Sequence, residues 1–162
     1  MPLTSTVPAA LGQLYTYLQT VVAASSVAPL AAYYGAPVAN VTNNYVMVGH
    51  WENGQLLQNY QQDFAGFPAI ANKKNEQYEL LVTIRTWDGS TDPTQRVTDL
   101  MSLADGVMSQ FANDPNASGT ITPSGTWSVG EFEIVASGPF GGKGFGVLAQ
   151  MTIPVINVRL VS

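Results

Sequence analysis

There is no cysteine among the 162 residues, which removes both a disulfide framework and any site built on a thiolate. Histidine is nearly absent too. The single His50 stands in Val48-Gly49-His50-Trp51-Glu52, whereas a metal centre or a nucleophile–base pair ordinarily needs a second histidine or a cysteine beside it. A capping or surface histidine is the plainer reading. Charge is scarce as well: six Lys and Arg against eleven Asp and Glu leave a net charge of −5 and a charged fraction of 10%. A chain that gripped phosphates would carry the opposite sign on at least one stripe, so stable nucleic-acid binding is disfavoured. Free monomers usually keep more Lys, Arg and Glu in water, and part of this surface is therefore expected to be covered by neighbours. No apolar run approaches the ~20 residues of a membrane span, and no basic segment precedes an apolar one at the N-terminus. The chain reads as soluble and unexported, with no membrane partner.

What is present is an apolar fraction of 46%, enough for one globular domain over residues 1–162, with no second domain expected. Its centre is the stretch from Tyr78 to Asn113. Up to Trp87, the side chains Tyr78, Leu80, Val82, Ile84 and Thr86 fall on one face, because successive side chains of a strand alternate. Asp88-Gly89-Ser90-Thr91-Asp92-Pro93 then supplies a turn and a helix start. Asp92 offers a capping carboxylate, Pro93 sits where the first helical N–H has no partner anyway, and Gln95 lies three residues after the cap. Val97, Leu100, Met101, Ala104, Val107, Met108 and Phe111 follow at spacings of three and four, with Arg96, Asp99, Asp105 and Gln110 on the other side. The predicted helix, ended by Asn113-Asp114-Pro115-Asn116, is roughly 30 Å long and suited to cover one face of a sheet.

Upstream, Thr4-Ser5-Thr6-Val7-Pro8 marks a helix N-terminus. Val7, Leu11, Leu14, Leu18, Val21 and Val22 repeat at helical spacing to about Ala24, where Ser25-Ser26-Val27-Ala28-Pro29 stops the helix. Strands are predicted over 30–37 and 44–51. Residues 52–75 turn to Asn, Gln, Gly and Pro, a long loop or arm of the kind that in a compact domain usually serves a partner or a function. Downstream, 119–122 and 126–135 read as short strands, followed by a Gly-rich hairpin over 138–145. The longest β run covers 145–161, where Pro154 points to an edge strand, a bulge or two strands in series. The fold class expected is α+β: a mainly antiparallel β-sheet covered by a long amphipathic helix, plus an N-terminal helix.

Few residues offer chemistry. Glu131 and Glu133 alternate with Phe132 and Ile134, the arrangement that paired carboxylates take in a hydrolase, yet also the ordinary solvent face of an edge strand, which is favoured. Gly141-Gly142-Lys143-Gly144-Phe145-Gly146 invites a phosphate-loop reading, but no Ser or Thr follows the lysine and a strand comes next, so no helix N-terminus meets the anion. A flexible hairpin that extends toward a neighbouring subunit is the better account. Tyr15, Tyr17, Tyr33, Tyr34, Trp51, Phe64, Phe67, Trp87, Trp127 and Phe140 are more aromatic residues than one small core readily holds, and aromatics at a surface commonly anchor interfaces. No cofactor and no metal is expected.

Several stretches together resemble the tail terminator, or tail completion, proteins of long non-contractile-tailed phages, especially those infecting actinobacteria. They are the N-terminal helix, Tyr33-Tyr34-Gly35-Ala36-Pro37-Val38, Tyr45-Val46-Met47-Val48-Gly49-His50-Trp51, the strand from Glu79 to Trp87 leading through Asp88-Gly89-Ser90-Thr91-Asp92 into the long helix, and the late Gly-rich turn before a final strand. The resemblance covers most of the chain by order and spacing, through soft motifs. It implies an α+β virion subunit at the neck end of the tail that assembles as a homohexameric ring. Such a ring caps the major tail tube protein at the length set by the tape measure protein and presents a surface to the head-closure part of the neck. It catalyses nothing, and DNA passes through its channel without specific binding, which an acidic balance suits because like charges repel. Subunits joined head to tail need two different lateral patches plus an upper and a lower face.

A head–tail joining or head-completion neck protein has overlapping size and composition. From another class come a small-ligand-binding α+β domain and a weak hydrolase using Glu131, Glu133 and His50; a tail-tube subunit would need 52–75 as an interlocking arm. Candidate contacts are Trp51, Phe64, Phe67, Lys73 and Lys74 toward a vertical partner. Phe140, Lys143 and Phe145 are the candidates toward a lateral neighbour or the channel, since core periodicity does not explain the aromatic, Gly and Lys content there.

Overall fold

A computed structural model describes residues 5–35, 41–52, 55–57, 60–65, 73–89, 92–121, 125–138 and 144–161. The elements are α1 (Val7–Ala24), β1 (Leu30–Tyr34), β2 (Asn44–Val48), β3 (His50–Glu52), β4 (Gln55–Leu57), β5 (Tyr60–Ala65), β6 (Lys73–Asp88), α2 (Pro93–Asn113), a 3-10 turn (Ala117–Gly119), β7 (Thr126–Trp127), β8 (Phe132–Gly138) and β9 (Phe145–Val161). The spine is the antiparallel pair β6 and β9, which runs from Lys73 opposite Val161 to Asp88 opposite Phe145. Strand alternation decides the faces: Leu80, Val82 and Ile84 on β6 and Val147, Ala149, Met151, Ile153 and Val155 on β9 are all buried on one side.

Each spine strand is flanked by a broken partner. Beside β6, β2 pairs with Val82–Arg85 and β5 continues along Asn75–Leu80. The break falls at Gly49, whose φ of +123° favours glycine and sends the chain into the β3–β4 hairpin. Gly49 stays tied to β6: its N–H donates to the Leu81 carbonyl, and its own carbonyl accepts from Thr83 Oγ1. Beside β9, β8 pairs with 146–151 and β7 with 155–156. Pro154 sits opposite the gap between them, and its carbonyl accepts from the Ser128 N–H on that same side. In an antiparallel strand a residue's N and C=O face the same neighbour, so the N–H that proline lacks falls where the outer strand is interrupted. That is how a proline survives inside a central strand; β9 is bulged nearby, where the register shifts between Glu76 and Tyr78. β1 lies parallel to β2 at the end of the sheet, so the sheet is mixed, where a mainly antiparallel one was expected.

Both helices lie on the buried face, α1 over β1 and β2, α2 over β6 and β9, and they touch each other. They cross closely at Gly106, where a β-carbon would come within 3.1 Å of Val21 Cγ1. This contact corrects the predicted helix face. α2 buries Arg96, Leu100, Leu103, Ala104, Val107 and Phe111, so it is rolled toward α1, leaving Val97 and Met101 of the predicted stripe exposed. Arg96, read as a wet residue, is buried instead with its guanidinium 3.0 Å from Asp99 and 3.6 Å from Asp88. Among the described residues its Nε has no hydrogen-bond partner.

Other differences are local. Asp92 does cap α2 by accepting from the Thr94 N–H, but the Gln95 amide reaches forward to Asp99 and no reciprocal box forms. Residues 117–119 form a 3-10 turn in place of the start of the strand predicted over 119–122. Ala117 and Ser118 have positive φ there, and Trp127 fastens the turn by donating from its backbone to Pro115 O and from Nε1 to Asp114 O. Within 52–75, read as a loop or arm, the described residues hold β4, β5 and the start of β6.

Candidate functional site

The surfaces most suited to a partner are the two outer edges of the sheet. Among the described residues no strand pairs with the outer side of β1 at one end or of β8 at the other. At the β1 edge Tyr34 is 51% exposed and meets Tyr15 of α1 edge-on, with ring centroids 5.6 Å apart. At the β8 edge Ile134 is 44% and Val135 40% exposed. Val135 occupies a bulge, which changes the side to which the strand points: Ile134 pairs with Ala149 on the helix side, Ala136 with Leu148 on the far side. An open strand edge with apolar side chains beside it is a template for pairing with another chain.

Each edge is continued by a helix flank. The side of α2 that faces α1 is marked by Leu103, Gly106 and Gln110, which line a shallow groove with Thr20, Val21 and Ala24. At 3.6 residues per turn, Val97, Met101 and Met108 fall on the flank turned away from α1, above the β8 side of the sheet. On α1 the flank turned away from α2 carries Tyr15 and Val22, beside Tyr34. The 18 residues of α1 include no Asp, Glu, Lys or Arg, although its solvent side consists of Pro8, Ala9, Gly12, Thr16, Gln19, Thr20, Ala23 and Ala24. A helix that stayed in water would usually carry charge there.

The polar groups inside the fold are structural. Glu76, fully buried on β6, accepts from Ser5 Oγ and from the N–H and Oγ1 of Thr6. Its carboxylate therefore supplies the anion that the first turn of α1 lacks. Tyr78 stands beside it with its hydroxyl 2.9 Å from Thr6 Oγ1. Burial, augmented by the Glu76 charge, pushes the Tyr78 phenol up to about 12. Tyr17 lies in an aromatic cluster with Phe111 and Trp127 and donates to Asp114. Burial first, and the hydrogen bond and charge of Asp114 second, raise its pKa far above the usual phenol range. For Asp114 partial desolvation works upward but is outweighed by the donors Tyr17, Ser118 and Asn116, which hold the carboxyl below its usual range. Asn44 of β2 ties β6 to the residue just before β1, donating to Pro29 O and accepting from the Trp87 N–H.

The residues singled out from the sequence are dispersed. Trp51 stands opposite Leu56 in the separate β3–β4 sheet. Phe64 pairs with Glu76, and Lys73 and Lys74 pair with Val161 and Leu160, at one end of the spine. Phe145 opens β9 at the other end, half-buried against the core. Phe67, Phe140 and Lys143 lie outside the described residues. Glu131 and Glu133 are exposed. Among the described residues no three His, Asp or Glu are placed to share a metal ion, and no helix is long and apolar enough to cross a membrane. Val97, Met101, Ile134 and Val135 were missed as surface residues because periodicity assigned them to a core or a strand. A signal in the sequence that could have pointed to those flanks is the absence of charge from the N-terminal helix.

No family model matches the chain, and no curated protein matches it. Among solved structures, a chain from a structure described as the "Virion of native gene transfer agent (GTA) particle" is similar with a TM-score of 0.44 and 9% sequence identity. The match covers 91% of this chain and 94% of that one.

Proposed function

We propose that this chain is a structural protein of a phage virion, a tail-terminator-like subunit whose ring caps the tail tube, ends its polymerisation and offers a docking surface to the neck. The observation that carries the ring is the pair of unlike open edges at opposite ends of one sheet, each backed by an apolar, nearly charge-free helix flank. Identical subunits joined head to tail through two different patches form a ring when the rotation between them closes. The sequence resemblance supplies the position in the tail, and the acidic balance of −5 suits a channel that DNA traverses without adhering. In this reading the major tail tube protein lies below the ring, the head-closure protein above it, and nothing is catalysed.

The test is electron microscopy of particles made when the gene is deleted from its source phage. Headless tails of uncontrolled, excessive length are the expected result. Tails of normal length beside unjoined heads would instead make the chain a neck component, and normal virions would defeat the proposal.

A further inference from the structure

Resting on the ring reading above, we infer that the ring closes by continuation of the sheet: β8 of one copy pairs antiparallel with β1 of the next, and the outer flank of α2 meets the outer flank of α1 at the same joint. Strand polarity supports this. β1 is parallel to β2, and every further step through β6 and β9 to β8 is antiparallel, so β1 and β8 run in opposite senses. Rotation about a ring axis lying roughly along the strands preserves each strand's sense, so the β8 edge meets the neighbour's β1 in an antiparallel ladder. A two-fold contact of β8 with β8 would stop at a dimer and leave β1, Tyr34 and the α1 flank in water. Only the unlike pairing covers both the β1 and the β8 edge with one repeated joint.

Side-chain chemistry on the two sides of the joint agrees. On the helix side, Ile134 of the β8 edge lies on the same side of the sheet as the outer flank of α2 with Val97 and Met101, and at the β1 edge Tyr34 meets Tyr15 of α1, whose outer flank also carries Val22. Both surfaces are apolar, and none of these residues carries a charge that would have to be desolvated without a partner. A second copy of this chain thus meets each edge with an apolar surface to match it. Joining the edges also sets α1 of one copy beside α2 of the next, so the alternation of helices over the sheet continues across the boundary.

The pleat gives a test that a loose association would not pass. Ala32 pairs with Val46 and Ile134 with Ala149, both on the helix side; Ala31 pairs with Tyr45 and Glu133 with Gln150, both on the far side. The chain has no native thiol, so introduced cysteines are the only ones. The double variants Ala32→Cys/Ile134→Cys and Ala31→Cys/Glu133→Cys join same-side positions, whereas Ala32→Cys/Glu133→Cys and Ala31→Cys/Ile134→Cys join opposite sides. Moving the β8 cysteine to Ser137 on the helix side or Ala136 on the far side samples the register. All are oxidised both as purified protein and in tails from a deletion complemented with the variant, then separated under denaturing, non-reducing conditions.

Same-side pairs are expected to give a ladder of covalent multimers, with opposite-side pairs and single variants giving none, because only cross-strand neighbours on one face come within disulfide reach. Dimers from Ile134→Cys alone would overturn the joint in favour of a two-fold one. Multimers by light scattering with no β1–β8 cross-link in either sample would overturn it while leaving the ring intact. Normal virions from the deletion would remove the tail-terminator reading, yet a same-side ladder would still establish the joint.

Discussion

Tyr17 and Tyr78 show how single buried hydroxyls tie this fold to pH. Both phenols are neutral in the folded chain and raised above their ordinary value of 10.0, Tyr78 to about 12. In the unfolded chain they ionise near 10, so their contribution to stability is fully present below that pH. It is lost as pH rises toward and through the folded values. The urea midpoint of unfolding should therefore hold steady up to about pH 10 and fall between 10 and 12, with late phenolate absorbance appearing only as the protein unfolds. A Tyr78→Phe variant should show a shallower fall over that range, and a slope unchanged from wild type would deny Tyr78 this role. Sequence gave no sign of either hydroxyl's environment, since Asp114 lies 97 residues from Tyr17 and Thr6 lies 72 from Tyr78. Spacing reports which side of an element a residue occupies; it is silent on which distant polar group waits there. The same limit explains Arg96, whose place on the helix looked wet until the crossing with α1 rolled it inward.

At the scale of the element, α1 has a remote cap. Thr6 stands at its N-cap position without a side-chain bond to the helix, and its first turn has no acidic residue; Glu76 from β6 accepts from Ser5 and Thr6 in their place. Removing that carboxylate leaves the half-buried donors of Ser5 and Thr6 unsatisfied. Glu76→Ala should therefore cost about 2–4 kcal/mol, a drop in Tm of roughly 5–15 °C for a chain of this size. Glu76→Gln, which keeps one oxygen acceptor, should lose less. Thermal melts followed by circular dichroism check the order, and an alanine variant as stable as wild type would deny Glu76 its capping role. Element existence was well marked in the sequence: both helices, the central strand and the last long strand follow directly from periodicity and from Asp92-Pro93. Elements without an alternating pattern were not. The strands β4 and β5 hide in a stretch rich in Asn, Gln and Gly, although their ladders are made with the neighbouring β3 and β6, and the left-handed Ala117 and Ser118 have no local signature.

For the whole molecule the open question is what covers its uncharged flanks. The scarcity of charge raised the expectation of neighbours, and the joint proposed for them rests on the fold, because an edge strand and a central strand share one alternating pattern and differ only in what lies beside them. Val97 and Met101 separate folding from assembly, since they are 37% and 39% exposed in the single chain and belong to no core. Substituting both by lysine should move the stability of the isolated chain by no more than about 0.5 kcal/mol per site. In the joined sheet, however, the two ammonium groups would face the uncharged α1 of the next copy and lose water without gaining a partner. Sedimentation of the Val97→Lys/Met101→Lys variant should show self-association weakened at least tenfold while its thermal melt stays near that of wild type. Association at full strength with an unchanged melt would place the α2 flank outside the joint and leave the strand edges alone to hold the copies together. A melt that collapses would show that these side chains serve the core of the subunit, and the roll of α2 assigned by Arg96, Leu103 and Gly106 would then be wrong.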